Sequence, residues 1–273
     1  MKKYYPHSAI SALYVLLLIT SCSETNRSDN GIAAQRDTIP FNYNIPNIYV
    51  FSVKASDSTD KGVYSDTLGL MCTNKIENKE TGQTTSSWLY LSKAANGSYV
   101  TNPAKINNSF SGTLSSKETI FIHPPRVEQY TILEICPYPI LQFPLFIGKK
   151  WDWDLTVGDQ WNPGGSVKWG GNKDFRSQYE VVDTTHIEIP IGKISCYHVH
   201  AINTSELGTS SADFYYNNQQ GIIKLSYQPL DKTKIEFNLL STTDDTALFQ
   251  YILPHYQAHQ EYLNFIKDSS YLQ

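Results

Sequence analysis

The sequence predicts a mainly β protein, built as a curved antiparallel sheet or half-open β barrel with a short C-terminal helical segment. Aromatic residues make up 13% of the 273-residue chain, with 19 Tyr among them, a composition that favours strands. Apolar and polar residues alternate in many short runs, which is typical of strands with one buried face. Turn residues separate the later runs at about 8–12 residues, and no long helical pattern lies between them, so a parallel α/β fold is not expected.

Composition excludes several classes of protein. Hydrophobic residues make up 40% and charged residues 18% of the chain, which is enough apolar material for a folded core. The net charge of −4 gives no electrostatic basis for binding nucleic acid. No apolar run reaches the length of a spanning helix, so a polytopic membrane protein is not expected either.

The first 22 residues have the pattern of a secretory signal. Lys2 and Lys3 precede the apolar run Ile10–Ile19, which is too short to span a bilayer. The string Ile19-Thr20-Ser21-Cys22 resembles the lipobox of bacterial lipoproteins. That resemblance implies that residues 1–21 are a signal peptide and that Cys22 becomes the lipidated N-terminus. An ordinary signal peptide, with Cys22 as a bystander, is the alternative.

A lipidated Cys22 would place the protein in the cell envelope, with the membrane as its partner through two acyl chains. Ser23 stands where an Asp retains enterobacterial lipoproteins in the inner membrane, so the analogy favours the outer membrane, on its periplasmic or surface face. Residues 22–45 are polar and lack periodicity, which predicts a flexible tether. Loss of Lys2 and Lys3 leaves a mature chain more acidic than the full sequence, so the lipid supplies the attachment.

Residues 46–243 form the predicted antiparallel β domain, and residues 244–273 form a tail that could be helical. Polar residues 74–82 predict a loop between two of the strands, and a helix is predicted from Pro254 to Lys267. The predicted strands are Asn47–Lys54, Ser65–Thr73, Thr84–Leu91, Lys105–Phe110, Glu118–His123, Gln129–Cys136, Trp151–Val157, Phe175–Asp183, Thr185–Ile189, Ile194–Ile202, Ser211–Tyr216, Gly221–Tyr227 and Lys234–Ser241.

The clearest strand is Trp151–Val157. Trp151, Trp153 and Leu155 alternate with Asp152 and Asp154, so the apolar residues share one face and the aspartates the other. The apolar set is predicted to line the concave inner face and is the candidate ligand-binding surface. The C-terminal tail is expected to pack near that face or its rim.

Four strings in the second half carry a resemblance to a family. They are Phe143–Trp151, Tyr179–Asp183, Ile189–Val199 and Phe214–Lys224, and their order resembles lipoproteins of the Bacteroidetes type in the DUF3108-like group. Such proteins are similar to the lipoprotein carriers LolA and LolB. The resemblance implies a half-open β barrel with an apolar concave face for acyl chains, and its motifs carry no catalytic chemistry.

One cluster of metal-ligating residue types occurs within a strand. Cys196, His198 and His200 follow period two, so they share a face, and thiolate with imidazole suits zinc. The alternative is that Tyr197, Val199 and Ala201 face the core while the histidines face solvent. We expect the latter and therefore predict no metal. Cys72, Cys136 and Cys196 allow one disulfide, but the sequence does not choose a pair, and free buried thiols are equally compatible.

No catalytic or nucleotide-binding motif is recognisable, and Asp152 and Asp154 lie on one strand face rather than across a cleft. We therefore expect no enzyme activity and no cofactor, but a binding or scaffold role with an apolar ligand. The alternative is a surface glycan-binding module. Trp161 and Trp169, in the Gly-rich stretch Gly158–Gly171, would then be the exposed platforms for sugars.

Overall fold

A computed structural model describes residues 40–43, 47–78, 83–101, 110–162, 167–255 and 257. Cys22, the predicted signal peptide and the tether up to residue 39 lie outside this part of the chain, as does most of the predicted strand Lys105–Phe110. Within it, strands dominate, and they pair antiparallel throughout one sheet. The strands are β1 Ile48–Ser56, β2 Gly62–Asn78, β3 Gln83–Lys93, β4 Tyr99–Thr101, β5 Phe110–Ser115, β6 Thr119–Ile122, β7 Ile140–Gln142, β8 Lys150–Val157, β9 Lys173–Ile189, β10 Gly192–Ser205, β11 Gly208–Asn217, β12 Gly221–Gln228 and β13 Lys234–Thr243.

The order of the strands makes the sheet a nearly closed barrel. It runs β7-β6-β5-β3-β2-β1-β13-β12-β11-β10-β9-β8, with β4 paired to β3 beside this path. The first and last strands of the chain therefore meet in the middle, and the two edges are β7 and β8. These edges are consecutive in sequence and joined by residues 143–149. We call the gap between β7 and β8, which no ladder bridges among the described strands, the seam. The predicted fold class is confirmed.

Aromatic side chains fill the inner face. Phe237 of β13 is fully buried, and its ring lies 5.7 Å from Trp88 and 6.0 Å from Tyr227. Across the sheet, Phe214 lies 6.1 Å from Tyr227 and 6.4 Å from Tyr179. These contacts link β3 to β9 through the interior, so the inner face is a packed core. The strand prediction for 151–157 agrees with β8.

A segment between β6 and β7, residues 123–139, enters this interior, and we call it the plug. Its 3-10 helix Glu128–Ile135 replaces the predicted strand Gln129–Cys136, which is wrong. A short apolar run does not distinguish a strand from a buried helical segment. Here five of the eight helical residues are buried, while Glu128 at the start of the helix is exposed. The carbonyl of Ile135 accepts hydrogen bonds from Asn203 Nδ2 and Ser210 Oγ, each at 3.0 Å.

The C-terminal helix covers the other face of the sheet. It spans residues 246–255, and its N-cap is Asp245, whose Oδ1 accepts the Leu248 N–H at 2.9 Å. Leu248 and Ile252 are buried against Ile48 and Val50 of β1, together with Met71 and Leu89. The helix starts earlier than predicted, and residues 258–273 lie outside the described part. The tail is expected near the inner face or its rim, but its described helix packs on the opposite face, because β1 to β3 carry apolar residues on both faces.

Two strands are longer than the sequence predicts. The predicted loop over residues 74–82 begins as a strand, because β2 continues to Asn78, which pairs with Gln83. Phe175–Asp183 and Thr185–Ile189 form one strand, β9, with a register shift opposite His198 and Val199 of β10. Among the described helices, none is long and apolar enough to cross a membrane.

Candidate functional site

The seam is closed by side chains where backbone ladders are missing. Trp153 of β8 places its ring 5.2 Å from Tyr138 of the plug and 6.1 Å from Phe121 of β6. Phe121 in turn stacks on Tyr138 at 6.0 Å. The Tyr179 hydroxyl of β9 donates to the Tyr138 carbonyl at 3.0 Å. Tyr138 is therefore the side chain on which the two edges of the sheet converge.

The predicted ligand-binding residues lie on the inner face, as their alternation indicates. Trp151 is 7% exposed and stacks on Tyr179, with the rings 5.3 Å apart and 5° from parallel. Trp153 and Leu155 are half-buried and pack against the core, while Asp152 and Asp154 are exposed. The three apolar residues are thus brought together along the seam. Their role in binding a ligand stays a prediction.

A buried carboxylate, which sequence reasoning missed, joins the plug to this seam. Glu134 is 3% exposed, and its Oε2 accepts a hydrogen bond from the Tyr138 hydroxyl at 2.6 Å. His123 Nε2 lies 3.5 Å from the same oxygen, and Arg126 Nε lies 3.9 Å from Oε1. Burial alone would raise the Glu134 pKa, but the interactions with His123, Tyr138 and Arg126 outweigh it and lower the pKa. The available signal was a single Glu within an otherwise apolar run.

The orientation of His123 follows from its neighbours. Its Nδ1 lies 2.7 Å from the Pro124 carbonyl oxygen, which can only accept, so Nδ1 carries a proton. Its own carbonyl accepts the Trp88 indole N–H at 2.8 Å. The start of the plug is therefore tied both to β3 and to Glu134. This arrangement holds a charge inside the fold and leaves its carboxylate almost without solvent contact, which fits a structural role better than proton transfer with a substrate.

The tryptophans proposed as sugar platforms are largely covered. Trp169 is buried, and its carbonyl accepts the Asn162 side-chain N–H at 2.9 Å. Trp161 is half-buried, and the Arg126 guanidinium lies 4.6 Å over its ring. One face of Trp161 is thus occupied by a cation–π contact. Residues 163–166 of this stretch lie outside the described residues.

The histidine cluster on β10 is organised by carboxylates. Asp213 Oδ1 lies 2.7 Å from His198 Nε2 and 2.9 Å from His200 Nδ1, while Asp183 Oδ1 lies 3.3 Å from His198 Nδ1. The hydrogen bond to Asp213 raises the His198 pKa despite partial burial. Burial would raise the Asp213 pKa, but the hydrogen bonds from both histidines lower it. Cys196 is buried in the core cluster, and in the described part of the chain no three His, Cys, Asp or Glu residues form a metal-binding group.

The three cysteines of the β domain, Cys72, Cys136 and Cys196, are buried and free. Burial raises the pKa of Cys72 and of Cys196 to about 12. At neutral pH these thiols are therefore protonated and unreactive.

Comparison with protein-family models finds no match, and comparison with curated proteins finds none either. Solved structures do resemble the chain. A presumed lipoprotein from Parabacteroides distasonis is 13% identical, with a TM-score of 0.42 over 76% of this chain and 99% of its own. An exported protein with a YmcC-like fold from Bacteroides fragilis is 12% identical, with a TM-score of 0.43 over 76% and 98%. The hypothetical lipoprotein YmcC from Escherichia coli is 10% identical, with a TM-score of 0.34 over 71% and 84%.

Proposed function

We propose that this chain is a lipid-anchored protein of the cell envelope, at the outer membrane, with a non-catalytic role as a rigid scaffold. The observation that carries this proposal is the plug. A carrier of acyl chains needs an open apolar cavity, commonly of about 300–1,000 Å³. In this barrel the plug and the ring contacts around Phe237 occupy the inner face instead.

Any ligand that contacts Trp151, Trp153 and Leu155 would have to bind at the seam. An apolar ligand would have to displace Tyr138 from Trp153, and Tyr138 is held by Glu134 and by Tyr179. Such a ligand would therefore compete with a hydrogen-bonded aromatic cluster. This competition favours a scaffold over a carrier, and the covered faces of Trp161 and Trp169 weigh against the glycan-binding alternative.

A fluorescent fatty-acid probe tests the scaffold proposal. Titration of the wild-type protein with the probe should show no saturable binding. The matched variant Tyr138→Ala, which opens the seam, should bind the probe if an apolar space has been created. Saturable binding by the wild type, abolished by an excess of unlabelled fatty acid, would contradict the scaffold proposal and support a carrier.

Lipid anchoring has its own test at Cys22. The Cys22→Ala variant should fail to incorporate labelled palmitate and should leave the membrane fraction. Ser23→Ala is the matched control, because it changes the adjacent small residue and keeps the thiol. If Cys22→Ala still labels and still sediments with membranes, the anchor is not at Cys22.

A further inference from the structure

The described chain begins beside the loop that joins the two edges of the sheet. The Phe41 N–H donates to the Tyr216 hydroxyl at 2.6 Å, and the Ile222 N–H donates to the Tyr43 hydroxyl at 2.7 Å. Tyr216 also contacts the ring of Phe143, at 5.3 Å, where the loop of residues 143–149 starts. Residues 40–43 and this loop therefore lie at the same end of the sheet, which we call the N-terminal end.

Four of the eight large apolar side chains that are exposed in the described part of the chain lie towards this N-terminal end. Phe146 and Ile147, at the tip of the loop, are 43% and 52% exposed. Val182 follows Val181, the residue of β9 that is hydrogen-bonded to the loop. Ile191 lies in the β9–β10 turn, which extends further than the loop towards the same end of the sheet. Of the other four exposed large hydrophobics, Val63, Val100 and Ile202 lie towards the opposite end, and Tyr251 lies on the C-terminal helix.

The loop holds its apolar tip in a fixed shape. The Lys149 N–H donates to the Phe146 carbonyl at 3.0 Å, which closes a tight turn. Gly148, whose φ is +85°, donates its N–H to the Val181 carbonyl at 2.7 Å. In return, the Val181 N–H donates to the Lys149 carbonyl at 2.9 Å. The turn is thus pinned to β9 from both sides. Phe146 and Ile147 are presented to the outside rather than folded back onto the core.

The neighbouring lysines are already engaged. Lys149 Nζ donates to the carbonyls of Gln142 and Pro144, at 2.6 and 3.0 Å. Lys150 Nζ lies 3.0 Å from a Glu180 carboxylate oxygen. The tip of the loop is therefore apolar, and the two lysines that follow it are neutralised or held by the backbone, while exposed Lys117 lies in the cleft at the start of the loop. Such a surface is suited to contact hydrocarbon rather than an acidic partner.

We infer that the loop of residues 143–149 is a second membrane contact, in which Phe146 and Ile147 insert into the lipid surface that carries the Cys22 anchor. This inference rests on the lipid anchoring proposed above. If the predicted tether is flexible, the 17 residues between Cys22 and Pro40 would span roughly 20–25 Å, which would keep the N-terminal end near the bilayer. A tether alone leaves the domain free to rotate. Insertion of an aromatic and a branched apolar side chain orients it, and tethering makes even a weak contact effective.

Site-specific labelling of the full lipidated chain tests this contact. The protein is purified from membranes and reconstituted into phosphatidylcholine vesicles, with an environment-sensitive fluorophore attached at Ile147→Cys. Val63→Cys, an exposed apolar site at the opposite end, is the matched control. The buried native cysteines do not compete for the label. We expect blue-shifted emission and several-fold less quenching by aqueous iodide at position 147 than at position 63, with no dependence on anionic lipid.

Vesicle flotation separates this inference from the anchor. If the protein floats and position 147 is quenched as readily as position 63, the loop contact is wrong and the anchor stands. If Cys22→Ala floats while Ile147→Ser in that background does not, the loop contact stands and the anchor is wrong. If the wild-type chain does not float at all, both are overturned.

Discussion

The barrel is closed in two different ways on its two sides. On the side opposite the seam, β1 pairs with both β13 and β2 along all nine of its residues, a region we call the wall. At the seam, β7 has three residues, and Trp153 of β8 contacts Phe121 of β6 and Tyr138 of the plug instead of a paired strand. Backbone ladders form with almost any side chain, whereas closure at the seam depends on a few particular residues. Substitutions at the seam should therefore open the barrel locally, and substitutions in the wall should destabilise all of it.

The largest effect is expected in the wall. Phe237→Ala removes a fully buried ring that contacts Trp88, Tyr130 and Tyr227. It should lower the free energy of unfolding by about 3–5 kcal/mol, measured by urea denaturation. Phe146→Ala, at an exposed position, is the control and should have little effect. A loss below about 1 kcal/mol for Phe237→Ala would mean that the interior is loosely packed.

The next effect concerns the polar link between plug and seam. Tyr138→Phe keeps the ring but removes the hydroxyl that donates to Glu134, so a buried carboxylate loses a hydrogen bond. The expected loss of stability is about 1.5–3 kcal/mol, measured in the same denaturation assay. Tyr251→Phe removes an exposed hydroxyl and serves as the control. An unchanged midpoint for Tyr138→Phe would show that Glu134 is satisfied in another way.

A somewhat smaller effect should distinguish local from global opening. Trp153 is half-buried, so Trp153→Ala should cost about 1.5–2.5 kcal/mol, less than a fully buried tryptophan would. Hydrogen exchange should accelerate at β7, β8 and the plug while the amides of β1 and β13 stay protected. Asp152→Ala, on the exposed face of the same strand, is the control. If hydrogen exchange accelerated equally at β1 and β13, the seam would not open independently of the wall.

The smallest effect is a pH dependence at β10, on the seam side of the sheet. Because the pKa of His198 is raised in the folded state, its pairing with Asp213 stabilises the protein below about pH 6.5. That contribution is lost as the pH rises through the folded-state pKa. The stability difference between the wild type and His198→Gln should therefore shrink from pH 5.5 to pH 8, by less than about 1 kcal/mol because the pair is partly exposed. Glu188→Gln is the control, and a difference that grows with pH would contradict the assignment.

The patterns that predicted the fold were those in which local periodicity and burial agree. Trp151 to Val157 alternates strictly, and β8 has the predicted faces. The failures share one cause, which is burial on more than one side. Most side chains of the plug's 3-10 helix are buried, Glu134 among them, and β1 to β3 carry apolar residues on both faces, so an alternating pattern does not indicate which side faces the core. The resemblance to half-open barrels indicated the architecture but not that a segment fills the interior.

The candidate site was predicted only in part, for a related reason. Trp151, Trp153 and Leu155 were visible as one face of one strand. Tyr138, Phe121 and Glu134 come from elsewhere in the chain, and nothing in their local sequence links them to β8. Likewise, Cys196 was grouped with His198 and His200 by spacing, whereas the structure pairs the histidines with Asp183 and Asp213 on neighbouring strands.

Alternation of apolar and polar residues was enough to predict most antiparallel strands and their inward faces, because alternation is a local property of an extended chain. The sequence also carries the lipobox-like string at Cys22, which requires no tertiary contact to be recognised. Three features are visible only in the folded chain: β1 pairs with β13, the edges of the sheet meet at Tyr138, and residues 123–139 occupy the interior. These features depend on contacts between residues far apart in the chain, and such contacts are selected by the total burial of apolar surface rather than by any local pattern.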